Sequence, residues 1–226
     1  MVNGNRALCY IYLDPHVTNC CASWFCPEGT GAGYPKYTLR RRAEYGYYNL
    51  AVFFYGCNFD CLFCQNYEHK NLREGRVISS KEFIDVVERN ERISCICFFG
   101  GTSEPQLNFS VNVSKKIVED MGDRIVRICF EWNGTGNERM VKKAGELSLM
   151  SGGMIKFDLK TFNPLINFAL CGFSNEVVLR NFEMLARDFF DKRDEVPPRL
   201  QQLLSSSRLR RWGRSWRDSQ IYSEYR

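Results

Sequence analysis

Apolar and polar positions along this chain fall into short, dense blocks separated by glycine-rich breaks. Tyr48 to Tyr55 (YNLAVFFY) is a continuous apolar run ended by Gly56. That pattern suits a strand buried on both faces. Ile93 to Phe99, Ile125 to Phe130 and Met154 to Leu159 repeat it. Between them lie stretches with apolar residues three and four apart. Ser79-x-x-Glu82 reads as a capping box opening a helix that carries Phe83, Ile84 and Val87 on one face. Ser110 to Met121, Asn137 to Met150 (through Met140, Ala144 and Leu147) and Ser174 to Phe190 also read as helices. In the last, Val178, Phe182, Leu185 and Phe189 form one stripe.

Strand and helix thus alternate from residue 48 to residue 190. Unbroken apolar strands with helical crossovers predict an α/β fold with a parallel sheet. Residues 1–46, rich in Gly, Pro and Cys, are expected to form an irregular lead-in. In sheets of this kind, chemistry gathers at the carboxyl ends of the strands. The polar motifs sit in that register: Cys57 to Cys64, Gly100 to Gln106, Glu131 to Gly134, and Asp158 to Lys160.

At 226 residues the chain has enough length for one domain with a substantial core. No apolar run approaches membrane-spanning length, and the N-terminus carries no secretory pattern. With no membrane segment and no secretion signal, the expected location is cytoplasmic. There are eleven cysteines, an odd number. In a reducing compartment such cysteines are metal or cluster ligands before they are disulfides. The net charge of +5 resides entirely in the part after residue 198, where seven Arg meet two acids. The remainder is neutral, which argues against a nucleic-acid surface on the folded body.

The central motif is GCNFDCLFCQN, Gly56 to Asn66, with C-x3-C-x2-C spacing directly after a strand. Three thiolates in one loop can hold three irons of a cubane and leave the fourth iron open. Phe59, Leu62 and Phe63 are placed to shield such a cluster. Zinc is the other reading: Cys61-x2-Cys64 is a common half-site and would need a further ligand such as His69. His16 and His69 otherwise have no partner in sequence and read as non-catalytic. Cys95, Cys97 and Cys129 lie in strands and read as core.

On these residues the chain resembles the radical S-adenosylmethionine superfamily, from about Cys20 to Asn181, and most of all a branch related to pyruvate formate-lyase activating enzymes. The resemblance implies a partial TIM-like (β/α)6 barrel in residues 47–198. It implies a [4Fe-4S] cluster on Cys57, Cys61 and Cys64, with S-adenosyl-L-methionine as the second cofactor. It places Phe63 near the adenine. It sets Gly100, Gly101 and Thr102 at the methionine amino group, with Glu104 or backbone oxygens standing in for the acid the family has at Thr102. Glu131 and Asn133 are implied at the ribose or sulfonium, and Asp158 with Lys160 at the ribose and carboxylate. A plain Asn-Gly turn and a solvated Asp-Lys pair are the simpler alternatives for these last two motifs. Cys171-Gly172-Phe173-Ser174-Asn175 resembles a family segment that opens a helix, and Cys171 reads as a pocket thiol or substrate contact. The role of Cys20, Cys21 and Cys26 stays open between a second metal site, a lid and packing.

The implied activity is reductive cleavage of S-adenosylmethionine to a 5'-deoxyadenosyl radical that takes hydrogen from a substrate. A glycyl radical enzyme is one candidate substrate, and ferredoxin or flavodoxin a fitting electron donor. Two other functions fit the residues: a zinc-stabilised module binding nucleic acid through the basic tail, and an inactive fragment that keeps the cluster.

After Pro197-Pro198 the pattern breaks, and residues 199–226 lose both periods. One codon choice for Ser207 to Tyr225, read one nucleotide later, encodes PGYVDGEEVGEIARYIASI, which has the Pro-Gly-Tyr loop and amphipathic helix expected next. A frameshift or truncation of the barrel after about residue 198 is therefore expected. Sequencing the locus and its transcript should find the missing or extra nucleotide. An unambiguous read in the present frame would remove the idea.

Overall fold

The computed structural model describes residues 4–18, 26–189 and 192. The tail after residue 198, Cys20 and Cys21 lie outside the described residues, so the frame-shift reading is not addressed by the fold. Six strands form one open sheet: β1 (Arg6–Pro15), β2 (Tyr48–Phe54), β3 (Arg76–Ser79), β4 (Ile93–Gly100), β5 (Arg127–Trp132) and β6 (Ile155–Phe157). Their spatial order is β3-β1-β2-β4-β5-β6. β2, β4, β5 and β6 run parallel. Among the described residues there are also six α-helices: α1 (Pro27–Thr30), α2 (Ser80–Arg89), α3 (Leu107–Asp120), α4 (Glu138–Ser151), α5 (Pro164–Cys171) and α6 (Glu176–Phe189). The α/β class and the partial (β/α)6 architecture expected from sequence are present, and among the described residues the sheet is not closed into a barrel.

One expectation fails. The lead-in is not irregular: β1 lies inside the sheet, antiparallel to both β2 and β3. Its run LCYIYL has strand-forming residues, and Ala7 and Cys9 are fully buried. The Gly, Pro and Cys content of its surroundings hid it. β3 is only four residues long and α5 (PLINFALC) is almost wholly apolar, so neither has a readable period. The capping box does form: Ser79 Oγ accepts from the Glu82 amide at 3.2 Å, and Glu82 accepts from the Ser79 amide at 2.9 Å.

The two faces of the parallel sheet have different chemistry. Leu50, Val52, Phe54, Ile96, Phe98, Ile128, Phe130, Trp132, Ile155 and Phe157 alternate along their strands and are buried. They form the core with α2, α3, α4 and α6 through residues such as Phe83, Phe109, Val141 and Phe182. Aromatic rings run through it from Phe54 to Phe98, Phe130, Trp132, Phe157 and Phe182, with centroids 5.0–6.1 Å apart. The other face carries Ala51, Cys97 and Cys129 in register, with Asn49, Cys95 and Arg127 beside them. Cysteine is small and apolar, which is why these strands read as unbroken hydrophobic runs. Cys95 and Cys129 are buried, as expected of core thiols, and Cys97 is partly so.

The amino ends of β4 and β5 are covered by the segment after β1. Arg127, fully buried, donates to Glu44 at 2.9 and 2.6 Å and to the Tyr37 carbonyl at 2.9 Å. A buried pair of this kind costs about 3–5 kcal/mol when one partner is removed. Ser94 Oγ donates to Glu44 at 2.8 Å and accepts from Arg127 at 3.1 Å. With the only Ser94 proton spent on Glu44, the His16 Nε2 at 2.9 Å must carry a proton and donate. His16 Nδ1 then faces Glu28 Oε2 at 3.2 Å. Burial, then the Arg127 charge, lowers His16 to about 4. Burial raises Glu28 to about 7. Between about pH 4 and about pH 7 the pair is therefore uncharged, with the acid proton on Glu28 facing His16 Nδ1 and the imidazole proton on Nε2 facing Ser94.

That arrangement gives a pH signature. Glu28, raised from 4.5 to about 7, contributes stability that is present below 4.5 and fades as pH climbs to about 7. His16, lowered from 6.5 to about 4, contributes stability that is present above 6.5 and fades as pH falls to about 4. Between pH 4.5 and 6.5 the two slopes oppose each other and cancel. Glu28→Gln removes only the acid's slope, so its stability should rise relative to wild type from pH 5 to pH 6.5. Denaturant unfolding at both pH values checks this, and parallel profiles for the two proteins would contradict it.

Candidate functional site

The cysteine loop leaves the carboxyl end of β2 at Gly56. Its ends are held by backbone bonds: Gly56 N–H to the His69 carbonyl at 2.7 Å, Asp60 N–H to Cys171 at 2.7 Å, and Leu62 N–H to Leu170 at 3.0 Å. Asn66 Nδ2 donates to the Gly100 carbonyl at 3.3 Å and ties the loop to the next strand. Phe59 is buried and packs on Phe173, with centroids 5.4 Å apart. Of the three residues expected to shield a cluster, Phe59 is buried, Phe63 is 39% exposed and Leu62 is 79% exposed.

Cys57, Cys61 and Cys64 are all partly buried on this one loop. The Cys57 sulfur accepts from the Phe59 amide at 3.4 Å and faces Asn133 Nδ2 at 3.9 Å. Burial nonetheless raises the free Cys57 thiol above its ordinary value. Among the described residues no three His, Cys, Asp or Glu side chains converge as the ligands of a single metal ion do. A cubane makes a different demand, since each thiolate meets its own iron. Three thiols on one loop, with N–H donors aimed at a sulfur and an apolar residue beneath, fit that demand. His69 stacks on Phe53 at 5.0 Å, an aromatic contact that accounts for a lone histidine there.

Gly100 and Gly101 close β4 beside this loop. Sequence reasoning assigns such glycines to ligand approach. The nearest neighbours are backbone instead: a Cβ on Gly101 would meet the Gly56 carbonyl oxygen at 2.5 Å and that of Phe54 at 3.0 Å. Gly100 has φ +106°, and its Cβ would strike the Phe53 Cα at 2.6 Å. The pair lets the end of β4 press against the start of the cysteine loop. The Gly101 amide donates to the Phe54 carbonyl at 3.0 Å.

Thr102 is buried and its hydroxyl bonds to Glu104. Glu104 also accepts from the Gly134 amide and from the Thr135 amide at 3.2 Å. Its carboxylate therefore staples the turn after β4 to the turn after β5. Despite these donors, burial raises Glu104 from 4.5 to about 7. Asn133 is buried and saturated: it donates to Asn58 Oδ1 at 2.7 Å and accepts from the Thr135 amide at 3.1 Å and hydroxyl at 2.8 Å. It thus braces the cysteine loop from the side.

On the polar face of the sheet, Glu131 pairs with Lys156 at 2.7 Å, directly across the β5–β6 register. Asp158 and Lys160 form an ion pair just beyond β6. Lys160 Nζ stands 5.8 Å above the centre of the Phe63 ring. The structure thus gathers the cysteine loop, Phe63, Gly100–Glu104, Glu131–Asn133 and Asp158–Lys160 at one end of the sheet. Cys171, at the end of α5, is fully buried against the loop, and burial raises its thiol to about 12.

Four amides missed by sequence reasoning hold this end together. Asn58 donates to Thr135 Oγ1. Asn181 donates to the Gly134 and Gly136 carbonyls, both at 2.8 Å. Asn175 donates to the Thr161 and Phe162 carbonyls at 2.6 and 2.9 Å. Gln106 bridges Leu8 and Tyr55 with three bonds of 2.6–3.1 Å. Their partners lie far along the chain, so no local signal marks these contacts.

A family model described as the Radical SAM superfamily matches residues 51–193. No curated protein matches the chain.

The glycine contacts give a prediction independent of any cofactor. Gly101→Ala should destabilise the protein by about 1–3 kcal/mol, because backbone oxygens cannot move aside as side chains do. It should also speed labelling of the loop thiols by a disulfide reagent. A variant as stable as wild type, with unchanged labelling, would show that the close approach is not needed.

Proposed function

The chain belongs to the radical SAM superfamily, and from that premise we propose that Cys57, Cys61 and Cys64 hold a [4Fe-4S] cluster and that the end of the sheet around them binds S-adenosylmethionine. The observation that carries this reading is the placement of three thiols on one loop at the carboxyl end of the first parallel strand, with the Phe59 amide donating to the Cys57 sulfur at 3.4 Å. An N–H donor on sulfur favours the thiolate form that iron requires. The cluster, when bound, supplies the electron that cleaves the sulfonium carbon–sulfur bond to methionine and a 5'-deoxyadenosyl radical.

The remaining work falls to the chain's own residues. Lys160 offers a cation to the methionine carboxylate, and its partner Asp158 offers acceptors to ribose hydroxyls. Phe63 presents a ring face for the adenine. Glu131, held by Lys156, provides a fixed carboxylate on the polar face of the sheet. Thr102 stands where the resembling family has an acid, and Glu104 is engaged by Thr102 and the Gly134 and Thr135 amides. The ammonium group of the substrate is therefore assigned to backbone carbonyls of the Gly100–Thr102 turn, with Glu104 holding Thr102 and the neighbouring turn in place. Asn133 braces the loop through Asn58 and is assigned to positioning, ahead of direct ribose contact. The finer reading, an activating enzyme that takes hydrogen from a glycyl radical enzyme with electrons from ferredoxin or flavodoxin, rests on the sequence resemblance alone. Among the described residues no helix is long and apolar enough to cross a membrane.

Anaerobic reconstitution with iron and sulfide should give a brown protein with about four irons per chain. Reduction in the presence of S-adenosylmethionine should release 5'-deoxyadenosine. Replacing all three loop cysteines by Ala should abolish both. Zinc in place of iron, or full iron in the triple variant, would defeat the proposal. Iron without 5'-deoxyadenosine would leave a cluster-binding protein with no cleavage activity, and would defeat the catalytic half.

A further inference from the structure

Residues 34–47 belong to the segment that covers the amino ends of β4 and β5, and they form a strip of cations and tyrosines. The cations are Lys36, Arg40, Arg41 and Arg42, all exposed. From Gly29 to Phe59 the sequence has one acid, Glu44. That carboxylate is fully buried and engaged by Arg127, so it offers no charge to the surface. On the helices, exposed cations have acids beside them: Lys115 with Glu119, Lys116 with Asp120, and Lys142 with Asp188. Among the described residues, Arg40, Arg41 and Arg42 pair with no carboxylate. Arg41 lies over the Tyr34 ring at 5.3 Å and Arg40 over the Tyr47 ring at 5.5 Å, with Lys36 over Tyr37 at 4.9 Å. Asp123 lines the same cleft as Lys36, where Arg124 flanks it. The neutral average of residues 1–198 conceals this local excess, because the acids lie on other segments.

The strip is fixed to the fold. Leu39 N–H donates to Glu44 at 2.9 Å, the Thr38 hydroxyl to the Gly31 carbonyl at 3.2 Å, and the Glu44 amide to the Glu28 carbonyl at 2.8 Å. Gly31 has φ +74°, and a Cβ there would strike the Arg41–Arg42 backbone. Cations presented from a fixed backbone lose less freedom on binding. A guanidinium lying over a ring keeps its N–H fork at the edge, where it matches phosphate oxygens. Tyr34 is 44% exposed and Tyr45 64%, which puts ring surface among the charges. Cations that follow a phosphate backbone, with aromatic rings on which bases stack, are what single strands require. An acidic protein surface needs the cations alone, so the exposed tyrosines favour nucleic acid.

We propose that this strip binds single-stranded nucleic acid, with Arg40, Arg41 and Arg42 on phosphates and Tyr45 stacking on a base. It lies at the end of the sheet away from the cysteine loop, so the proposal stands apart from the cluster reading. The test uses the full chain and a fluorescein-labelled uridine dodecamer, with affinity read by anisotropy across a range of salt. Replacing Arg40, Arg41 and Arg42 together by Ala should weaken binding about tenfold or more and reduce the slope of log affinity against log salt by about 2, at roughly 0.7 per phosphate. Tyr45→Ala should weaken binding about fivefold or more and leave the slope unchanged. The arginines after residue 198 are present in every variant, so the differences report the strip. Replacing the three arginines by Lys keeps the charge and should retain the wild-type slope. A slope as low as that of the alanine variant would overturn the assignment to phosphates. Unchanged affinity in the alanine variant would overturn the proposal outright. So would an unchanged Tyr45→Ala variant, or displacement of the oligonucleotide by polyglutamate at equal charge, since either result marks a surface for an acidic protein.

Discussion

The parallel pairing of β2, β4, β5 and β6 is the constraint on which the rest of this molecule depends. Parallel strands cannot be joined by tight turns, so each connection must cross over the sheet, here with helices. Every strand then delivers its following loop to the same end. The cysteine loop, the Gly100–Glu104 turn, the Glu131–Asn133 turn and the Asp158–Lys160 pair meet for that reason. No attraction among these residues is needed to bring them together. Local bonds such as Asn133 to Asn58 and Glu104 to the Gly134 and Thr135 amides then lock the turns to one another.

The opposite end of the sheet solves a different problem. Arg127 sits there with no exposure, and an unpaired buried guanidinium is costly. Glu44, Ser94 and the Tyr37 carbonyl satisfy it. Those contacts bring Tyr37 and Glu44 against the sheet, beside the buried His16–Glu28 contact. One end of the sheet is thus closed by a buried ionic network, while the other keeps partly buried thiols and charges. That asymmetry suits a protein whose chemistry takes place at the carboxyl ends of its strands.

The α/β class was legible because its signal is local and repeated: apolar runs, helical stripes and a capping box that formed as read. The three loop cysteines were legible because their spacing carries the information. β1 was not, because a strand inside a Gly-, Pro- and Cys-rich stretch has no repeating neighbour to declare it. Gly100, Gly101 and Glu104 gained structural contacts that the sequence did not show. The glycines accommodate the backbone of β2 and the cysteine loop, and Glu104 bonds to a turn thirty residues away. Leu62 was misjudged because side chains next to one another in a loop need not share an environment.

By itself, the sequence determined the alternation of strand and helix from β2 onward, the spacing of Cys57, Cys61 and Cys64, and the family to which that spacing belongs. These depend on residues close together along the chain, where period, composition and turn chemistry act. Only the tertiary structure decided that Glu44 would neutralise Arg127, that Asn133 would brace Asn58, and that the Asp60 amide would donate to the Cys171 carbonyl. Those partners are brought together by chain crossovers and by the burial of polar groups that then require a partner, and neither leaves a trace in any short stretch of residues.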